Sequence, residues 1–485
     1  MRIAWLLVGL WLAVPAWAAD SDGLMHIRAG RAALEAEHPA VARAEFQAAA
    51  GAGLANEDRL AALVGLGRAE LWLGHYRAAL EAFEQARRFT ATPADRRVVD
   101  TGAARALNAL DYHQHAFALL APFAAGDPAA SLELARAAIA LGRADEALRF
   151  TSVGPAPDPS THTGIELLRA QSQLDFELVA RAEGGYAFMH DSDGLTVSTY
   201  GFTAMLPGVP GGAIFNTWRL FAATSAITGY GQSDQLTEAA VGNRLRIGSL
   251  QHVDVQVGAG NVAGWNFLEG SIQWDDQIGD AASTFASADR APIVTPTALA
   301  SELLYSTFSL GASVRPADHW MLVPVYYHQA FSDGNQRDGG RLKVVLTPFD
   351  IPNSTSALGA ELDARGYRGT RPSTGTYFNP ARYRQEQLGL IGVHQFSPDW
   401  HMRFTAGIGP ETVNGSSART WSWALSLTGR LPGNGRLELH VVRDSFASLA
   451  GGGSGYWSDS ALLSVSWPFA SGYSSVSQPA AASQP

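Results

Sequence analysis

From Tyr377 to Phe469 apolar and polar residues alternate with a period of two. Trp421, Trp423, Leu425 and Leu427 are interleaved with Ser422, Ala424, Ser426 and Thr428. After the turn Pro432-Gly433-Asn434-Gly435, Leu437, Leu439 and Val441 are interleaved with Arg436, Glu438 and His440. The last run, Tyr456 to Phe469, places Ala461, Leu463, Val465, Trp467 and Phe469 on one face and Ser464 and Ser466 on the other. Successive strand side chains point to opposite faces, so each run predicts an amphipathic strand. A soluble sandwich also alternates, but with shorter strands and without tryptophan pairs at strand ends beside long Gly- and Ser-rich loops. Strands of about ten residues with aromatic ends, joined by alternately short and long links, predict a transmembrane β-barrel whose closing strand carries Trp467 and Phe469.

The pattern extends back to Glu177. Asp191-Ser192-Asp193-Gly194, Arg315-Pro316-Ala317-Asp318 and Ser397-Pro398-Asp399 read as short turns. Asp275 to Thr295, Pro348 to Asn353, Gly366 to Thr376 and Ser445 to Gly455 read as longer links facing the opposite side. At about ten residues per strand plus links, Glu177 to Phe469 accommodates ~14–16 antiparallel strands. The alternation is weakest between Gly264 and Pro296.

Between Gly23 and Phe150 the period becomes helical and the chain repeats itself. Ala79, Phe83 and Ala86 come after Leu73-Gly74-His75-Tyr76-Arg77; Ala42, Phe46 and Ala49 have the same spacing. Ala116, Leu120 and Phe123 recur after Asp111-Tyr112, and Ala147 comes after Leu141-Gly142-Arg143. The anchor alanines lie 37, 37 and 31 residues apart. A small residue lets two helices cross closely and a Phe fills the gap to the next repeat. Ala42, Phe46, Ala79, Phe83 and Ala116 therefore read as packing residues of a stacked array. Their Gly-x-Tyr…Ala-x3-Phe…Ala spacing resembles the tetratricopeptide repeat, which implies a concave docking platform. The expected organisation is α + β in two domains: a signal peptide at 1–18, a repeat array at 19–153, a linker and short helix at 154–176 marked by Pro155, Pro157 and Pro159, a barrel at 177–469, and a flexible tail at 470–485.

Composition narrows the class. Arg2, the apolar run Ile3 to Val14 and Ala16-Trp17-Ala18 have the form of a cleaved secretory signal. No later apolar run reaches the ~18 residues of a spanning helix. The absence of cysteine removes disulfides, thiolate metal sites and a lipidated N-terminal cysteine. A formal net charge of -10 argues against nucleic acid. With charged residues at only 16% and mean hydropathy at -0.02, the chain suits a barrel whose polar lumen face offsets its lipid face.

Candidate catalytic groupings are weak. His440, Asp444 and Ser445 are close in sequence, but a triad is defined by geometry. Asp275-Asp276 and Glu361/Asp363 lack a fixed separation for acid–base work. His113 and His115 lack a third metal ligand. Neither catalysis nor a cofactor or metal is expected. Arg403, Arg430, Arg436, Glu438, His440 and Asp444 fall on polar faces and are expected to line the lumen, a mixed-sign set suited to hydrogen-bonding sugar hydroxyls rather than to selecting one ion.

The segment Tyr377-Phe378-Asn379-Pro380-Ala381-Arg382-Tyr383 is similar to the Tyr-Phe-Ser-Pro-x-x-Tyr segment that opens the C-terminal strands of the cellulose type of bacterial exopolysaccharide-export outer-membrane protein, with Asn379 in place of Ser. A repeat array with a barrel after it resembles the cellulose synthase operon protein C and poly-N-acetylglucosamine export porin types. Tyr377, Phe378, Pro380 and Tyr383 carry the match. The resemblance implies an outer-membrane location with the repeats in the periplasm, contact with outer-membrane lipid, a polysaccharide cargo, and secretion or synthase components docking on the repeats. The chain differs from those types in its shorter array and in the 16 residues beyond Phe469. Two alternatives are a translocator resembling the surface lipoprotein assembly modifiers and a receptor barrel.

Overall fold

The computed structural model describes residues 16–123, 127–152, 161–208, 214–248, 250–350, 355–371, 376–397, 399–446, 452 and 455–469. The leader up to residue 15, the linker Pro155 to Pro159 and the tail 470–485 lie outside the described residues. The chain divides into two compact units, Met1–Gln171 and Ser172–Pro485.

The first unit is built from four helical hairpins: α1 (Ala16–Glu35) with α2 (Pro39–Gly51), α3 (Asn56–Trp72) with α4 (Tyr76–Ala86), α5 (Pro93–Ala109) with α6 (His113–Leu120), and α7 (Pro128–Ala140) with α8 (Ala144–Ser152). Consecutive helices pack on one another throughout. The hairpin bend is the same in all four. Glu37, Gly74, Asp111 and Gly142 have φ of 60, 77, 59 and 69 degrees. The next amide, from His38, His75, Tyr112 or Arg143, donates to the carbonyl five residues back, at Ala33, Glu70, Leu107 or Ala138. This Schellman closure ends a helix by satisfying its last carbonyls. Five residues after each bend stand Ala42, Ala79, Ala116 and Ala147, all fully buried. Phe46 lies against Gly30 and Gly65, and Phe83 against Gly67 and Gly102, where any Cβ would collide with the ring. A large wedge therefore requires glycines on the helices before and after it. Asp100 is buried beside Arg87 (3.1 Å) and Arg96 (3.5 Å); burial pushes its carboxyl up despite both cations.

The second unit is a closed antiparallel barrel of sixteen strands. Its first half comprises β1 (Arg181–Asp191), β2 (Thr196–Pro207), β3 (Ile214–Gly229), β4 (Gln232–Ile247), β5 (Gln251–Val262), β6 (Trp265–Gln277), β7 (Ala282–Pro292) and β8 (Leu304–Ala317). The second half comprises β9 (Trp320–Phe331), β10 (Gln336–Asp350), β11 (Ser356–Gly369), β12 (Arg382–Ser397), β13 (Trp400–Val413), β14 (Ser416–Leu431), β15 (Gly435–Asp444) and β16 (Ser458–Pro468). Closure is by β1 on β16, from Arg181 opposite Pro468 to Asp191 opposite Ser458, so no edge is left unpaired. In chain order α9 (His162–Leu178) precedes β1, and α10 (Pro296–Ala300) interrupts the link after β7.

The strand count falls within the expected range, and two details of topology are corrected. The turn Asp191 to Gly194 is on the same end of the barrel as the long links 293–303, 370–381 and 445–457, not opposite them, whereas the segment around Pro348 to Asn353 joins β10 to β11 at the end where the chain enters and leaves. The stretch Asp275 to Thr295 is mostly strand, because it contains the end of β6 and all of β7. The alternation is faint there because the outward face of β7 has no large apolar residue: Ala282, Thr284, Ala286, Ala288 and Arg290 stand on it. Ala286 stands opposite Trp274 and Leu310, and Ala288 opposite Ile272 and Phe308, so the neighbours supply the apolar bulk.

Candidate functional site: the lumen and its far mouth

Tyr200, Phe202, Leu268, Leu388 and Leu390 are among the most exposed apolar side chains and stand on the outer wall. The lumen wall is polar. On β10 and β11 the order Arg341, Lys343 against Glu361, Asp363 runs in opposite directions on antiparallel strands, so diagonal partners meet. Arg341 Nε donates to Asp363 Oδ1 at 2.9 Å, and Lys343 Nζ lies 2.7 Å from Glu361 Oε2. On the facing wall Arg219 pairs with Asp254. These charges largely cancel in place, because each cation has a carboxylate at contact distance.

Of the six residues expected to line the lumen, Arg403 and His440 share a row with Ser426, standing opposite one another on β13, β14 and β15, and the Ser426 hydroxyl shares a 2.7 Å hydrogen bond with His440 Nδ1. Glu438 faces the same side two residues away, opposite Ser464. Arg430 and Arg436 lie at the entry end. Arg430 is 3.8 Å from Asp399; Arg436 pairs with Glu177 at 3.0 Å while its guanidinium lies 3.9 Å from the Phe176 ring. Asp444 is at the opposite end, 3.6 Å from Arg365 of β11. Three strands separate β11 from β15, so that pair forms across the lumen.

The far mouth is filled by chain. Leu299 of α10 packs with Leu195, Ile227, Leu236, Val262 and Phe267 on the inner wall. The Thr295 and Thr297 hydroxyls donate to the Thr376 carbonyl at 3.1 and 3.0 Å. Tyr377 stacks on Phe331 with centroids 4.9 Å apart, and its hydroxyl accepts from Asn335 and donates to Asp333. Arg337, almost fully buried, donates to Asn379 Oδ1 at 2.6 Å and to the Phe378 carbonyl, and lies over the Tyr367 ring at 4.6 Å. Tyr383 stacks on Tyr367, meets Phe446 edge-on and donates to Glu411 at 2.8 Å; Pro380, three residues earlier, is also buried. Gln385 and Gln387 reach Ser445. Tyr377, Phe378, Pro380 and Tyr383 are thus packed at one place, on the segment that leads into β12.

The candidate catalytic groupings are dispersed. His440 is bonded to Ser426, Asp444 to Arg365 and Ser445 to the two glutamines. Asp275 accepts from Gln273, and Glu361 and Asp363 are held by cations. His113 is 3.3 Å from Asn108 Oδ1, and among the described residues no group of three or more metal-ligating side chains occurs. The lumen residues that sequence patterning does not single out are Arg337, Arg341, Lys343 and Arg365.

Arg337→Ala removes the buried donor that holds Phe378 and Asn379. Hydrogen bonds to a charged group contribute roughly 1.5–3 kcal/mol. Limited proteolysis of the intact protein is expected to cleave within 370–381 in the variant and not in the wild type, with the barrel still heat-modifiable; equal protection would show that Arg337 does not hold the segment.

No protein-family model matches the sequence, and no curated protein matches it. Solved structures do match the barrel. A bacterial polysaccharide outer membrane secretin superposes with a TM-score of 0.50 at 12% identity, covering 60% of this chain and 99% of that one. The second unit has the fold of an outer-membrane-type β-barrel. CdiB from Acinetobacter baumannii (TM-score 0.38, 10% identity, 59% of this chain and 60% of that one) and OccK7 (OpdD) from Pseudomonas aeruginosa (0.31, 10%, 60% and 97%) also match the barrel region.

Proposed function

We propose that this protein exports an exopolysaccharide of the cellulose or poly-N-acetylglucosamine type across the outer membrane, with the helical hairpins acting as a tetratricopeptide-like platform in the periplasm for secretion or synthase components. The observation that carries the reading is the lumen wall, where Arg219, Arg341 and Lys343 each have a carboxylate at contact distance and hydroxyl, amide and guanidinium groups remain for hydrogen bonding. A neutral or weakly charged glycan exchanges water for such donors and acceptors without meeting a single-sign barrier. The likeness to a polysaccharide secretin supports the same reading at the level of fold. The far mouth, filled by 293–303, 376–381 and 445–446, would rearrange when a polymer passes.

A deletion strain tests this. Loss of polysaccharide from the cell surface, with its accumulation in the periplasm and restoration by the wild-type gene, is expected. Unchanged surface polysaccharide together with lost display of surface lipoproteins would overturn the reading in favour of a protein translocator.

A further inference from the structure

Five arginines stand on the outer wall at the far end of β11 to β15: Arg368, Arg382, Arg384, Arg419 and Arg443. Their direction is set by neighbours fixed on the lumen side. Tyr367 and Tyr383 stack on each other, Gln385 and Thr420 bond to each other, and Asp444 meets Arg365. Alternation then sends the adjoining arginines outward. Arg368 and Arg382 are directly opposite in register, a like-charge pair unfavourable in a sheet, and the carboxylate next to it in register, Asp338, adjoins Arg368 and not Arg382. Arg384 pairs with Glu386, and Arg443 makes two 2.6 Å bonds to Asp459 while lying 4.9 Å from the Trp421 ring. Asp338 of β10 stands opposite Arg368 on its other side, where it also accepts from Tyr326 and meets His328, so three carboxylates stand against five guanidiniums.

Directly below on the same strands runs an apolar groove lined by Leu388, Leu390, Phe404, Ala406, Ile408 and Trp421. Its position next to the cations makes one continuous surface, charged above and greasy below. The long links mark this end as the outward-facing one, so the arginines sit at the headgroup level of the outer leaflet. Planar guanidiniums grip phosphate bidentately, and basic clusters at a membrane surface recognise anionic headgroups.

We propose that this face binds a phosphorylated, multiply acylated glycolipid of the lipid A class, with its phosphates among Arg368, Arg382, Arg384 and Arg419 and an acyl chain in the groove. A free phosphate would use only the upper half of this surface, and a protein carboxylate would leave the groove empty.

The test is native mass spectrometry of the full chain in detergent with bisphosphorylated lipid A, its dephosphorylated form and phosphatidylglycerol added in turn. Wild type is expected to retain bisphosphorylated lipid A, to lose it on dephosphorylation of the lipid, and to hold it against millimolar inorganic phosphate. The variant R368Q/R382Q/R384Q is expected to retain roughly tenfold less, about 1.4 kcal/mol of binding, while R290Q, an outward arginine on β7, retains as wild type. Should the triple variant fail to fold, R382Q alone relieves the like-charge pair, is expected to keep heat-modifiability, and still lowers retention. Equal retention by wild type and variant, equal retention of phosphatidylglycerol, or displacement by inorganic phosphate would each overturn the proposal.

Discussion

Leu427→Arg is expected to block barrel assembly, whereas Ser426→Arg, one residue away, is expected to be tolerated. Leu427 stands on the outer wall opposite Met402 and Leu439, and Ser426 stands in the lumen between Arg403 and His440. A charged residue on the lipid face costs up to about 2–4 kcal/mol, the full amount at the bilayer midplane and less towards the interfaces. The lumen side is solvated and already carries Arg403. The readout is heat-modifiable mobility of outer-membrane fractions: the folded species should be lost in the first variant and retained in the second. Equal behaviour of the two would place the lipid face wrongly.

Phe83→Ala is expected to be the most damaging single truncation in the helical unit. Its ring fills the space left by Gly67 and Gly102 on the flanking helices, and both glycines are too small to close the cavity. Removing a buried Phe costs roughly 3–5 kcal/mol when the site does not collapse. Ala79→Trp attacks the same junction from the opposite direction, since Ala79 is completely buried and overpacking costs about 1–3 kcal/mol or more. Both variants should make residues of the first unit protease-sensitive while the barrel remains heat-modifiable. Loss of the barrel together with the repeats would show that the two units do not fold independently.

The fold is legible in the sequence wherever bulk alternates within a single strand. Trp421 to Leu427 and Ala461 to Trp467 announce their lipid face without reference to any neighbour, and the Ala42, Ala79 and Ala116 spacing announces the hairpins. β7 is illegible because its lipid face lacks large apolar residues, and at Ala286 and Ala288 the adjacent strands supply the bulk. The direction of the links is hidden for a related reason: the end at which a link leaves depends on how many strands precede it, and one unrecognised strand inverts the assignment of every later link.

Within the lumen, the C-terminal strands are readable, and His440 shares its face with Arg403. Arg430 and Arg436 fall on the expected face, but their pairing with Asp399 and Glu177 at the entry end is invisible in the sequence, since those contacts depend on α9 and the β12–β13 turn. The ladder Arg341, Lys343, Glu361, Asp363 does leave a signal. Two cations and two carboxylates at spacings of two, on strands read in opposite directions, are complementary in an antiparallel pair. Arg337 leaves none, because its partners are a carbonyl, an amide and aromatic rings brought together by chain folded into the mouth.

The export reading is tested most directly by single-channel recording of the full-length protein in a planar bilayer with a cellulose- or glucosamine-type oligosaccharide added. The paired lumen charges predict little discrimination between small cations and anions, and reversible block of the current by the oligosaccharide that weakens after Arg341→Ala combined with Asp363→Ala. Strong selectivity for one sign of ion, with no block by either class of oligosaccharide, would contradict it.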